Sequence, residues 1–126
     1  MNPPKVRGKV NPKTAASTLR RASSLRPKLA LVLGSGFDKA AEQATVAATV
    51  PYTKLAGFIA PSVSGHAGQA LIGHMGGTEI IILKGRAHYY EGHSMSAITF
   101  PIRVLAEYCI ESLLLTNAAG GINRKY

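Results

Sequence analysis

Leu83-Lys84-Gly85-Arg86-Ala87-His88-Tyr89-Tyr90-Glu91-Gly92-His93 sets one guanidinium, two imidazoles and two phenols in a glycine-flanked stretch of eleven residues. Arg86 follows an aliphatic run and offers five donors in a fixed fork, suited to a bidentate grip on phosphate or carboxylate. His88 can donate to the same anion, and Tyr90 offers a flat face and a hydroxyl that suit a sugar. Two structural uses stand beside these: an ion pair of Arg86 with Glu91 or Glu107, and plain loop packing for Tyr89, which is the expectation for that ring. Ser35 lies between Gly34 and Gly36 at the expected start of a helix, where unpaired N–H groups favour an anion, although a tight turn capped by serine explains the same residues. His66, in Ser64-Gly65-His66-Ala67-Gly68, has a backbone freed by glycine on both sides and can reach a ligand, whereas His74 sits in an apolar alternation as a surface or satisfied core histidine. The four histidines lack metal-ligand spacing and the one cysteine has no pair, so no metal site is expected.

Positioning these residues requires strands that end together. Leu29–Leu33, Ile80–Leu83 and Leu113–Leu115 are continuous aliphatic runs, the pattern of strands buried on both faces, and each is followed by a glycine-rich turn. Ligands of open α/β sheets bind at the carboxyl edge of such strands, so three loops are expected to converge on one small ligand. Between them the sequence predicts a helix from a Thr14 or Ser17 cap to about Leu25, and a second, alanine-rich helix from Asp38 to about Ala47. A hairpin is expected over 69–75 and 78–84 through Gly76-Gly77. The last elements are a helix from a Ser94 cap to about Tyr108, distorted at Pro101, and a strand over 112–117.

With 126 residues, 46% hydrophobic and 17% charged, the chain is a single globular α/β domain at most. No apolar run approaches the roughly 20 residues of a membrane-spanning helix and no secretory signal is visible, so a cytoplasmic protein without membrane attachment is expected. The net charge of +9 is unevenly placed: residues 1–28 hold eight Lys or Arg and no acid, whereas 29–126 hold seven basic and six acidic side chains. The basicity is therefore that of a solvated N-terminal extension over residues 1–13 and the helix after it, and no specific nucleic-acid partner is expected. Cys109, after a helical stretch, is expected to be a buried core thiol.

Leu33-Gly34-Ser35-Gly36, Ser64-Gly65-His66-Ala67-Gly68, Gly85 through Gly92 and Thr116-Asn117-Ala118-Ala119-Gly120-Gly121, in this order and spacing, resemble the N-terminal half of the trimeric purine nucleoside phosphorylases, over about Thr14 to Tyr126. The related methylthioadenosine phosphorylases fit less well. The resemblance implies a phosphorylase-type sheet with flanking helices, truncated, and phosphorolysis of purine nucleosides to free base and ribose 1-phosphate in purine salvage. It assigns phosphate to Ser35, His66, Arg86, His88 and the backbone of Ala118, with His88 also catalytic. Tyr90 then meets ribose, and Ala119 and Gly120 line the base. Inorganic phosphate is a co-substrate, no cofactor is implied, and the family assembles as homotrimers. Phe37-Asp38 stands where the family has Leu-Gly, and Ser64 where it has proline. The family is about twice this length and its purine-protonating groups lie in the other half, so the chain alone is expected to be inactive. The competing class is non-enzymatic: a truncated product, or a small phosphate- or nucleotide-binding module.

Overall fold

The computed structural model describes residues 9–60 and 68–126. In chain order the elements are helix α1 (Pro12–Ala22), strand β1 (Leu29–Leu33), a 3-10 turn (Asp38–Gln43), β2 (Thr45–Pro51), a 3-10 turn (Tyr52–Lys54), β3 (Gln69–Met75), β4 (Thr78–Lys84), a 3-10 turn (Tyr89–Glu91), α2 (Met95–Glu107) and β5 (Ser112–Leu115). The strands make one mixed sheet in the order β2-β3-β4-β1-β5. β1 pairs in parallel with β4 on one side and β5 on the other, while β2, β3 and β4 form an antiparallel flank. The aliphatic runs of β1 and β4 are strands because both their faces are covered. Ala30, Val32, Ile72, Ile81 and Leu83 pack against Ala15, Ala16 and Leu19 of α1 and Val104 and Leu105 of α2. Leu31, Leu33, Leu71, Ile80 and Ile82 form the other face with Ala41. The hairpin through Gly76-Gly77 forms as the sequence predicts.

Three expectations need correction. The cap of α1 is Asn11, whose Oδ1 accepts the Lys13 N–H at 2.9 Å, with Pro12 in the first turn where its missing donor is harmless. The helix expected over 38–47 is a single 3-10 segment ending at Gln43, followed by β2. Thr45, Val46, Thr49 and Val50 are β-branched, and the edge of β3 gives them a ladder that outweighs the helix preference of the intervening alanines. Cys109 is exposed, not buried. It occupies the left-handed position just past α2, at φ 71°, where its N–H reaches the Ala106 carbonyl and the next N–H, of Ile110, reaches Leu105 at 3.0 Å. That wrap turns Tyr108 inward and leaves the thiol outside.

The Ser94 hydroxyl caps α2 by accepting the Ala97 N–H at 3.2 Å, and the helix runs unbroken through Pro101. β5 is an edge strand, as β2 is, and it corrects a further expectation: Leu113, Leu114 and Leu115, read from the sequence as buried on both faces, are all exposed, Leu114 by 57%, because among the described residues the strand has only β1 beside it. Replacing Leu105, 2% exposed between α2 and the sheet, by alanine is expected to cost about 2–5 kcal/mol. Met95→Ala, at the exposed start of the same helix, should stay within about 0.5 kcal/mol. Urea unfolding of the two variants measures both.

Candidate functional site

Strand register decides where the chemistry collects. Leu33 pairs with Lys84, and Val32 with both Leu83 and Leu115, so the segments after β1, β4 and β5 leave the sheet at one edge and at one level. On the antiparallel flank, Gln69 pairs with Lys84 and Pro51, which brings Tyr52 to the same edge from β2 and Gly68 from β3.

The loops meet at Gly34. A Cβ there would fall 2.5 Å from the Thr116 carbonyl oxygen, 3.0 Å from Arg86 Nη2 and 3.1 Å from Asn117 Cα, so only a hydrogen fits between the three segments. The Thr116 hydroxyl ties two of them together: it accepts the Gly34 N–H at 2.9 Å and donates to the Val32 carbonyl at 3.1 Å, and that carbonyl also takes the Thr116 N–H at 3.1 Å. The third segment is held from the other flank. The Tyr52 hydroxyl donates to the Gly85 carbonyl at 2.6 Å, next to Arg86. Burial pushes that phenol far above the usual tyrosine range, which favours the protonated, donating form.

Beyond Arg86 the chain turns through Tyr89–Glu91, with Glu91 Oε1 accepting the His88 N–H at 2.8 Å. The His88 and Tyr90 rings stack with centroids 4.9 Å apart and planes 11° apart. Tyr90 is 83% exposed, so its outer face is open to a ligand. Tyr89 does not pack into its loop as expected: it is exposed and borders a cavity of about 350 Å³ between the sheet and α2, which Arg86, Tyr52, Ile98 and Leu115 also line.

The expected site residues are placed as follows. Arg86 and His88 stand half-buried at the carboxyl edge of β4. Ser35 is exposed in the turn after β1, and Ala118, Ala119 and Gly120 are exposed on the segment after β5, with open space around Gly120. His66 lies outside the described residues. His74 is half-buried at the opposite edge of the sheet, level with Thr45 and Glu79. One element of the anion argument changes: no α-helix begins after Gly36, only the 3-10 segment at Asp38, so the donors there are individual peptide N–H groups without a helix dipole. Sequence reasoning missed Tyr52. Its signal was a tyrosine directly after Pro51 at the end of a β-branched run, which the helical reading of that run concealed.

The arrangement presents one cation, one imidazole and a stacking face around a shared strand edge, side chains whose chemistry suits an anion and a sugar. The phosphorylase superfamily matches residues 28–126. This chain belongs to the phosphorylase superfamily. It is 39% identical over 112 residues to purine nucleoside phosphorylase 1 of Geobacillus stearothermophilus, covering 89% of this chain and 41% of that protein. Against the purine nucleoside phosphorylase of Saccharomyces cerevisiae the identity is 40% over 105 residues, 79% of this chain and 34% of that one. The crystal structure of the Schistosoma mansoni purine nucleoside phosphorylase in complex with acetate superposes with a TM-score of 0.82 at 36% identity, covering 90% of this chain and 42% of that chain. The chain thus spans about two-fifths of the phosphorylases it matches.

Thr116→Val keeps the shape of the clip but strands the Gly34 N–H. It is expected to destabilise the fold by about 1–3 kcal/mol, the penalty for a buried donor left unmade, with Thr116→Ser recovering most of the loss. Equal urea midpoints for wild type and Thr116→Val would show that the clip holds nothing.

Proposed function

We propose that the chain forms the phosphate- and ribose-holding part of a purine nucleoside phosphorylase. The observation that carries this reading is the seating of Arg86 against Gly34, where the turn after β1 and the segment after β5 converge. The names of the superfamily relatives support it, as does a related structure in complex with ribose 1-phosphate that superposes with a TM-score of 0.78 at 34% identity.

In the proposed reaction, inorganic phosphate attacks the anomeric carbon of a purine nucleoside. A phosphate oxygen forms the new C–O bond as the C–N bond breaks, the bond pair leaves with the purine, and ribose 1-phosphate remains. Arg86 and His88 hold the phosphate with Ser35, His66 and the backbone of Ala118. Fixed donors keep the nucleophile beneath a centre that gains positive charge, so little reorganisation is needed as the bond breaks. Tyr90, stacked on His88, receives the ribose, and Ala119 and Gly120 line the purine. None of these base-lining residues carries an acid for the leaving purine. The chain alone is therefore expected to bind phosphate and ribose 1-phosphate but to release no hypoxanthine from inosine. Phosphate is the only co-substrate in this reading, and no cofactor is needed for the step. Homotrimeric assembly and action in the cytoplasm belong to the same proposal. No helix among the described residues is long and apolar enough to cross a membrane.

Calorimetric titration of the chain with inorganic phosphate tests the reading. Arg86→Ala is expected to weaken binding by about 1.5–3 kcal/mol, the range for hydrogen bonds to charged groups. Unchanged phosphate affinity in that variant would remove Arg86 from the site, and absence of phosphate binding by the unmutated chain would reject the assignment.

A further inference from the structure

We propose that Tyr52 is a positioning residue for the anion site, acting through Gly85 on Arg86; the inference rests on the phosphate-site reading of Arg86. Four observations converge on this side chain. Its hydroxyl donates to the Gly85 carbonyl at 2.6 Å. Gly85 has φ 93°, a left-handed conformation in which the peptide that follows can swing unless something holds its oxygen. That peptide is the one that launches Arg86, so fixing its carbonyl fixes the direction in which the guanidinium leaves the end of β4. The phenol itself is well anchored: it is 3% exposed, its ring meets Phe58 with centroids 4.9 Å apart, and its own N–H donates to the Gly68 carbonyl at 3.0 Å.

Tyr52 therefore bridges the chain arriving at β3 and the chain leaving β4, one through its backbone and the other through its side chain. A phenylalanine would fill the same space against Phe58, so packing alone does not call for the hydroxyl. The hydroxyl is needed only to hold Gly85. Arg86 Nη2 in turn lies 3.0 Å from where a Cβ at Gly34 would stand, so the guanidinium rests against the turn after β1 while the peptide that launches it is held by Tyr52. Tyr52 touches no ligand in this arrangement. Its contribution is to spare the site the ordering of Arg86 when phosphate arrives.

The test is Tyr52→Phe, read first without ligand. In nitrogen-15 spectra the Arg86 Nε–H and the amides of 85–88 are expected to broaden or shift, while strand amides such as those of Leu31 and Ile81 keep their positions. Phe58→Leu, which thins the packing but leaves the hydroxyl in place, is expected to leave the Arg86 signal where it is. Phosphate affinity should fall roughly five-fold in Tyr52→Phe, the effect of one neutral hydrogen bond, with no added loss when the change is made in Arg86→Ala. An Arg86 signal identical in wild type and Tyr52→Phe would overturn the inference, as would an affinity loss that adds in full to that of Arg86→Ala. Should Tyr52→Phe not fold, a Tyr52 hydroxyl proton of the unmutated chain that exchanges freely with water would overturn it instead, and a protected one would support it. Failure of the unmutated chain to bind phosphate would reject the phosphorylase reading, and the ligand-free spectra would still decide whether Tyr52 positions Arg86.

Discussion

Three loops can serve one small ligand only if the strands beneath them end at the same height, and the parallel trio β4-β1-β5 meets that condition. Leu33 stands beside Lys84, and Leu115 beside Val32, so the segments containing Ser35, Arg86 and Ala118 begin within about one residue of a common level. A one-residue slip of β1 against β4 would reverse which leucines face α1 and α2 and would bury the wrong side chains on both faces. The two-sided core therefore protects the alignment of the site, and the energy that holds the loops level is the burial of Leu31, Val32, Ile81 and Ile82 well below them.

Above that level the segments are locked by short-range contacts instead. Gly34 has no side chain because Thr116 and Arg86 occupy its place, and the Thr116 hydroxyl gives the close approach a hydrogen-bonded partner on each side. The antiparallel flank contributes from the other direction. Because β2 runs parallel to β4 across the intervening β3, its end delivers Tyr52 to the same edge, and a strand with no ligand residue of its own becomes part of the site's support.

Most of the candidate site's residue types were legible in the chain, because anion chemistry is written in residue types: an arginine after a glycine at the end of an aliphatic run needs no tertiary knowledge to be noticed. The runs of β1 and β4 were equally plain, since strands covered on both faces leave no polar alternation to confuse the reading, whereas the leucines of β5 show the same pattern and are exposed. The segment from Asp38 to Pro51 failed for a physical reason. Its alanines favour a helix locally, but β3 offers a ladder whose partners lie 18 to 29 positions away, and no local pattern reports that partner. The same distance hid Tyr52, whose acceptor is the carbonyl of residue 85, whereas the exposure of Cys109 was missed for a local reason, the left-handed conformation of Cys109 itself at the end of α2. Contacts set by types were legible; contacts set by meeting points were not.

The exposed leucines of β5 have a colloidal consequence. Leu113, Leu114 and Leu115 lie on a strand whose outer edge is unpaired among the described residues, the kind of surface that favours edge-to-edge association. The opposing force is the +9 net charge, concentrated in residues 1–28, which keeps copies apart through a field that extends about 10 Å at 0.1 M salt and about 3 Å at 1 M. Salt shortens that field and leaves the leucines as adhesive as before. The balance between the two forces therefore tilts with ionic strength: added salt is expected to favour adhesion between copies of this chain without altering the fold.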